Sequence, residues 1–450
     1  MQPNQAGSPR RPRQTSGAQR WACLVLTFGV LVAPLGAGTT ASAQGDPDPE
    51  SPPDVVIPPP PQPPLILIPR PGVPEPPAPE PPEPSPEQPP EPSPGQQPEP
   101  TPEEPPEPTP EEPPEPDPSP GDPPPTGPGS DEYPDPEECD VSDILEPECG
   151  VWWGASPGPD EVADLEDIIE RQLDLVYVWH GVDQTDLPTE EQHQMMEEGR
   201  LIHANVEARE FTQRGHPALR YEQIIDGEFD DSLSAQARNF ADLDLPAFVT
   251  FDHEADANHR YNTRGSPEEF VAAWRHIVDI YDDHGADNVI WVWNVTGWPG
   301  NMDRLPGLWP GNDYVDWLSW EGYNMTGCPQ HENWDHVQSF GEAVRPTYEW
   351  VQEHGESHGI NPDKPVMVGE MGTVPLPDDP RGTFNWYREI PEVLRELDRI
   401  QGVKLWNSKT SPDCDFRVTQ DLAAELGYLV ASQDSHVRVP EEVHQRVFDR

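Results

Sequence analysis

From Gly150 onward, short apolar runs alternate with longer amphipathic stretches. The runs are GVWWGAS, LDLVYVWHG, GRLIHANVE, LPAFVTFDHE, DNVIWVWNV, YVDWLSWEGYN, KPVMVGEMG and QGVKLWNSK. Near-continuous apolar runs of this length mark strands that are buried on both faces. The stretches between them read as helices. In SPEEFVAAWRHIVDIYDDHG, Ser266 is placed to cap, Pro267 takes the first helical position, and Gly285 ends the run. Phe270, Trp274, Ile277 and Tyr281 recur there at helical spacing and form a core-facing stripe. DEVADLEDIIERQL and TFNWYREIPEVLRELDRI are further helices, the second blurred by Pro391. Strand and helix alternating eight times over roughly 290 residues predict an α/β fold, a closed (β/α)8 TIM barrel. A doubly wound open sheet is the rival, but WWGASPG lacks the full glycine fingerprint that fold carries after its first strand.

A barrel explains where the chemistry-bearing residues fall. The runs finish in His180, Glu207, His253-Glu254, Asn294, Glu321, Tyr323, Glu370 and Trp406-Asn407. In a barrel, such C-terminal ends converge on one pocket. Glu254 ends the fourth run and Glu370 the seventh, and strands so placed in a narrow barrel can present two carboxyls across a cleft. Such a pair hydrolyses glycosidic bonds, at a separation of about 5–5.5 Å for retention and about 6.5–9.5 Å for inversion. One group must hold a proton and the other a charge, and like charges push their titrations apart. Tyr323 can donate to a carboxylate and keep it oriented, and His253 adjoins Glu254. One glutamate at a strand end would read as a surface ion pair; two after buried runs argue for chemistry. Trp406 is a candidate floor for a sugar ring. Trp293, Trp298 and Trp309 are candidates for stacking on neighbouring sugars, although core packing claims part of the 15 tryptophans. His180, Asn294 and His259 complete the candidate substrate contacts. His253 and His259 do not have the spacing of an H-E-x-x-H metal site, so no metal is expected.

Composition divides the rest of the chain. Residues 1–43 carry Arg10, Arg11, Arg13 and Arg20, an apolar stretch interrupted by Pro34, and small residues ending at Ala43. This is the pattern of a cleaved signal peptide, with a retained anchor as the competing reading. Residues 44–136 hold most of the 66 prolines, many acids and one aromatic, Tyr133. Such a Pro/Glu-rich linker cannot bury enough apolar surface to fold and is expected to be disordered and extended. The barrel is expected over 137–432, with a C-terminal tail at 433–450. The net charge of −57 leaves no basic stripe for nucleic acid and repels anionic surfaces, whereas a neutral polymer is compatible. An exported, extracellular or cell-surface monomer is expected, without a transmembrane segment once the signal is removed. Cys139, Cys149, Cys328 and Cys414 then form an even set with three possible pairings. A local Cys139–Cys149 link would leave Cys328–Cys414 to join two distant loops.

Taken together and in order, these motifs resemble glycoside hydrolase family 26, the β-mannanase-like branch of the (β/α)8 retaining glycosidases. FDHE is similar to its strand-four motif, VIWVWN to its fifth strand and YVDWLSWEGYN to its sixth. KPVMVGEMG is similar to its seventh strand, and VKLWNS followed by CDFRVT to its eighth. The resemblance implies Glu254 as acid/base, Glu370 as nucleophile, Tyr323 in contact with the nucleophile and Trp406 as sugar platform. It also implies an endo-acting retaining enzyme that needs no cofactor. A neutral β-linked polysaccharide is the implied substrate, β-1,4-mannan first, with mixed-linkage β-glucan and β-1,3-xylan as alternatives. A non-catalytic carbohydrate-binding barrel and an exopolysaccharide hydrolase are the competing functions. Where the family carries an arginine before the His-Glu pair, this chain has Asp252.

Overall fold

A computed structural model describes residues 136–158, 162–243, 245–328, 336–376, 378–411 and 414–449. The expected signal peptide and, Pro136 apart, the expected linker lie outside the described residues. Eight parallel strands form the barrel: β1 (Trp152–Ser156), β2 (Leu175–Gly181), β3 (Leu201–Glu207), β4 (Ala247–Phe251), β5 (Val289–Val295), β6 (Trp317–Asn324), β7 (Val366–Thr373) and β8 (Ile400–Trp406). They pair in sequence order and β8 closes on β1. Every apolar run of the sequence supplies one strand.

Helices cover the outside, in chain order α1 (Val162–Ile169), α2 (Glu190–Glu197), α3 (Tyr221–Ile225), α4 (Asp230–Leu243), α5 (Pro267–Asp283), α6 (Phe340–His354), α7 (Pro380–Arg388), α8 (Ile390–Glu396), α9 (Leu422–Ser432) and α10 (Glu441–Phe448). α5 begins with a reciprocal capping box. The Ser266 hydroxyl accepts from the Glu269 N–H at 3.2 Å, and the Glu269 carboxylate accepts from the Ser266 N–H at 2.6 Å. Its stripe of Phe270, Trp274, Ile277 and Tyr281 is buried as spaced. Pro391 sits at the start of α8, where a missing N–H costs nothing, so one expected helix becomes two. Between β5 and β6 the chain makes 3-10 turns over Pro299–Leu308 instead of an α-helix. Among the described residues, no helix is long and apolar enough to cross a membrane.

Alternation along the strands sorts two cores. Val289, Trp291, Trp293 and Val295 of β5 pack toward the helices, whereas Ile290 and Val292 point into the barrel. The lower interior is filled by Trp152, Leu175, Leu201, Phe248, Trp317 and Met367. The N-terminal mouth is then sealed from both ends of the described chain. Trp152 and Trp317 donate their indole N–H groups to the carbonyls of Leu145 and Ile144, each at 2.7 Å, in the loop closed by Cys139–Cys149. Val443 and Val447 of α10 are buried in the same cluster, and Arg446 donates to the Cys139 carbonyl at 2.8 Å. The segment expected as a separate tail is therefore part of the barrel's floor, because its apolar face covers the open end. The second disulfide, Cys328–Cys414, joins the loops after β6 and β8 at the opposite mouth.

Candidate active site

The upper mouth holds a cavity of about 570 Å³, lined among others by Glu254, Glu370, Tyr323, Trp406, His253, His259 and Trp298. Glu370 gets there by an irregularity of β7. Val368 and Met371, three residues apart, pair with Trp320 and Gly322 on β6, which are two apart. On the other side they pair with Val403 and Leu405 of β8, also two apart. One extra residue is therefore inserted in β7, a β-bulge. Plain alternation from the inward-facing Met367 would send Glu370 out to the helices; the bulge turns it into the barrel. Gly369 makes this possible, since a Cβ there would lie 2.0 Å from Nδ2 of Asn294.

The two oxygens of Glu370 have different surroundings. Oε2 accepts a 2.6 Å hydrogen bond from the Tyr323 hydroxyl, whereas Oε1 is buried and has no hydrogen-bond partner. Burial raises the carboxyl's titration to about 7, against the pull of Tyr323 and of the cations Lys404 and Arg260.

Glu254 lies three residues past the end of β4, on backbone in the left-handed region at φ 54°, and Asp252 shares that region at φ 43°. Each such residue costs about 1–3 kcal/mol and persists only where its surroundings fix it. Here they do. The fully buried Asp252 carboxylate pairs with Arg264 and accepts from the Tyr221 hydroxyl at 2.6 Å. Arg260 stands 3.5 Å from Asp252 and donates to the His253 carbonyl at 2.8 Å. The Glu254 N–H bonds the Asn294 carbonyl at 3.1 Å. Burial first, and the Glu370 charge second, push Glu254 up to about 8.

His253 is held as a neutral donor. Asn205 accepts the His253 N–H on Oδ1 and donates from Nδ2 to Nδ1 at 3.0 Å, so the ring proton lies on Nε2. Burial and Arg260 keep the ring well below its ordinary titration range. Nε2 faces Oε2 of Glu254 at 3.9 Å, longer than a hydrogen bond. The Trp179 ring meets His253 edge-on at 4.6 Å and Trp406 at 6.0 Å, making an aromatic wall.

Four candidates belong elsewhere. Trp293 faces the helices by alternation and packs edge-on against Trp309 at 5.1 Å. Trp309 is held there by an indole hydrogen bond to the Gly359 carbonyl at 2.9 Å. His180 likewise faces outward and bonds Gln192 of α2. Asn294 points inward but lies under the cleft, donating to Ser319 at 3.0 Å. Conversely, Trp179 and Arg260 belong to the site or its frame without having been assigned to it, and Glu321, counted among the converging strand ends but given no role, is on its wall. Glu321 is buried on the cavity wall with neither oxygen hydrogen-bonded. Phase from Leu175 and Trp317 marks Trp179 and Glu321 as inward-facing. Nothing in the order of residues marks Arg260, which returns from a loop.

Residues 213–392 match the profile of glycosyl hydrolase family 26. The barrel has a fold like that of glycosyl hydrolase family 26. The match runs from the loop before α3 into α8 and so contains Glu254, Tyr323 and Glu370, while Trp406 lies beyond it. The chain is 25% identical over 288 residues to endoglucanase H of Acetivibrio thermocellus, covering 62% of this chain and 29% of that protein. It is 25% identical over 221 residues to the β-1,3-xylanase TXYA of a Vibrio species, covering 48% of this chain and 42% of that one. It thus spans less than half the length of these curated relatives. The catalytic domain of an endo-β-1,4-mannanase from Bacillus sp. JAMB-750 has the same fold, with TM-score 0.52 and 12% identity over 67% of this chain and 90% of that one.

Proposed function

We propose that the chain is a secreted, retaining endo-β-glycosidase that hydrolyses a neutral β-linked polysaccharide by double displacement. The observation that carries this is that Glu254 and Glu370 line one cavity, with the Tyr323 hydroxyl donating to Oε2 of Glu370 and orienting it. The Glu370 carboxylate bonds to the anomeric carbon as the glycosidic C–O bond breaks, and Glu254 gives its proton to the departing oxygen. Esterified Glu370 has lost its charge, so the like-charge push on Glu254 is relieved and Glu254 becomes the base. It then takes a proton from a water that attacks the same carbon, Glu370 leaves, and the starting configuration is restored. Trp406 and Trp179 offer apolar faces beside the reacting sugar, and Trp298, 44% exposed at the rim, offers one further out. Export is read from the N-terminal sequence.

β-1,4-Mannan is the substrate that the motifs favour. β-1,3-Xylan is the second reading, supported by relatives that carry that activity in their names. The test is a panel of mannan, glucomannan, lichenan and β-1,3-xylan, with Glu370→Ala and Glu254→Ala as controls. Cleavage of one member, lost in both variants, is the expected result. Cleavage that persists in Glu370→Ala rules out the mechanism. Tight binding without cleavage by the unmodified protein makes the barrel a binding module.

A further inference from the structure

Tyr323 and Trp406 stand on the strands either side of Glu370, and both lean on one apolar cluster to which the proposed reaction gives no task. Its buried members are Cys328, Val374, Cys414 and Phe416, with Tyr323, Met325 and Trp406 packed against them. The Phe416 ring is buried and lies 5.0 Å from the Tyr323 ring, tilted by 51°. It also covers the backbone of β7. Gly372 is the ladder partner of Tyr323, and a Cβ there would lie 3.2 Å from the Phe416 ring. The glycine gives that ring room to sit over the Tyr323–Gly372 pair, two residues past Glu370. Tyr323, Met325, Trp406 and Thr410 make the cavity wall on this side, with Phe416 behind them.

The loop that carries Phe416 is tied down on each side of it. The Phe416 N–H donates to the Ser408 carbonyl at 3.0 Å, and the Val418 N–H donates to Oδ1 of Asn407 at 2.9 Å. Both bonds fasten the loop to the end of β8. Asp415 accepts twice from the Arg417 guanidinium, each time at 2.8 Å. Cys414 is bonded to Cys328 in the loop after β6, so the support of Tyr323 is joined covalently to the strand that carries it. Fixing of this kind bears on the chemistry, because the tyrosine hydroxyl sits at the far end of a rigid ring. Its 2.6 Å bond to Oε2 of Glu370 lasts only while the ring angle is held within about 10–20°. A misplacement of about 1 Å in a catalytic constellation can cost about 100-fold in rate.

We propose that Phe416 is a positioning residue: anchored by the Cys328–Cys414 link, it holds the Tyr323 ring at the angle that aims its hydroxyl at Glu370. The role rests on the glycosidase reading, but its deciding test does not need a substrate. The Glu370 carboxyl can be followed by 13C NMR of glutamate Cδ, assigned by its absence in Glu370→Gln. The Tyr323 bond favours the ionised carboxyl, so Phe416→Ala should raise the titration midpoint, as Tyr323→Phe does. Phe416→Leu, which keeps apolar bulk behind the tyrosine, should stay near the unmodified value. Adding Phe416→Ala to Tyr323→Phe should raise the midpoint no further, because the bond is already gone. On a cleaved substrate, Phe416→Ala should lose up to about 10- to 100-fold in kcat/KM, mostly in kcat. In the Tyr323→Phe background it should lose no more than about 2-fold. Where the alanine variant does not fold, Cys328→Ala combined with Cys414→Ala loosens the same support and should give a smaller rise. A midpoint that does not move, or that moves equally with and without the tyrosine hydroxyl, overturns the proposal. A chain that cleaves nothing in the panel but shows the rise loses the glycosidase reading and keeps the positioning role. A cleaving chain with an unmoved midpoint does the reverse.

Discussion

Glu254 and Glu370 stand in one cleft, yet the chain brings them there by different means. Glu370 is inside a strand, aimed by one inserted residue and clamped between the ladders of β6 and β8. Glu254 is beyond a strand, on left-handed backbone fixed by the buried Asp252, Arg260 and Arg264. The difference suits the two tasks. A nucleophile must meet one carbon at one distance, and a sheet gives it little freedom. An acid/base must serve a leaving oxygen and later a water, and the Glu254 side chain keeps 23% exposure to do so.

Removing each carboxyl in turn tests that division most severely. Glu370→Ala should lose on the order of 10⁵–10⁶-fold in kcat, the scale seen when a covalent nucleophile is deleted. Glu254→Ala should lose about 10²–10⁴-fold, and less on substrates whose leaving group needs no proton. Azide distinguishes the two. In Glu254→Ala the glycosyl ester on Glu370 still forms, and azide displaces it to give a β-glycosyl azide. In Glu370→Ala azide must attack the substrate directly and gives the α-anomer. A β-product from Glu370→Ala would reverse the assignment.

These positions were partly legible in the residues. Fully buried parallel strands leave unbroken apolar runs, so all eight could be counted, and strand ends picked out Glu254, Tyr323 and Glu370. Facing is harder to read, because a buried strand is apolar on both sides. Trp293 and His180 look equivalent to Trp406 until the phase of their strand is known. Glu370 departs from that phase, and only Gly369 beside it hints at a bulge. The frame around Glu254 was hidden for another reason. Arg260 and Arg264 follow the glutamate in a loop without periodicity, and only folding returns them to Asp252. The helix at Glu441–Phe448 shows an apolar face too short to announce what it covers.

Tyr323→Phe sharpens the contrast at smaller amplitude. It removes one hydrogen bond to a charged oxygen, worth about 1.5–3 kcal/mol, or about 10- to 100-fold in kcat/KM. The loss should be greatest on the acidic side of the pH profile, because the bond favours ionised Glu370. An equal loss at every pH would mean that the tyrosine acts by contact with the sugar rather than through Glu370.

The smallest effect is on stability, and its sign follows from proton binding. Glu254 titrates up to about 8 in the folded chain, whereas an unfolded glutamate titrates at about 4.3. Between those values the folded state holds more protons, so stability falls as pH rises through the window. Glu254→Gln cannot titrate and escapes that fall. Its Tm should therefore match the unmodified protein near pH 5 and exceed it by a few degrees above pH 8. Glu370→Gln should open the same kind of gap, complete by about pH 7, where its own carboxyl stops titrating. Melting curves from pH 5 to 9 for the two variants would show the gaps saturating in that order. Gaps that are constant with pH would mean that neither carboxyl is held protonated by burial, and the distinction between strand and loop would lose its electrostatic half.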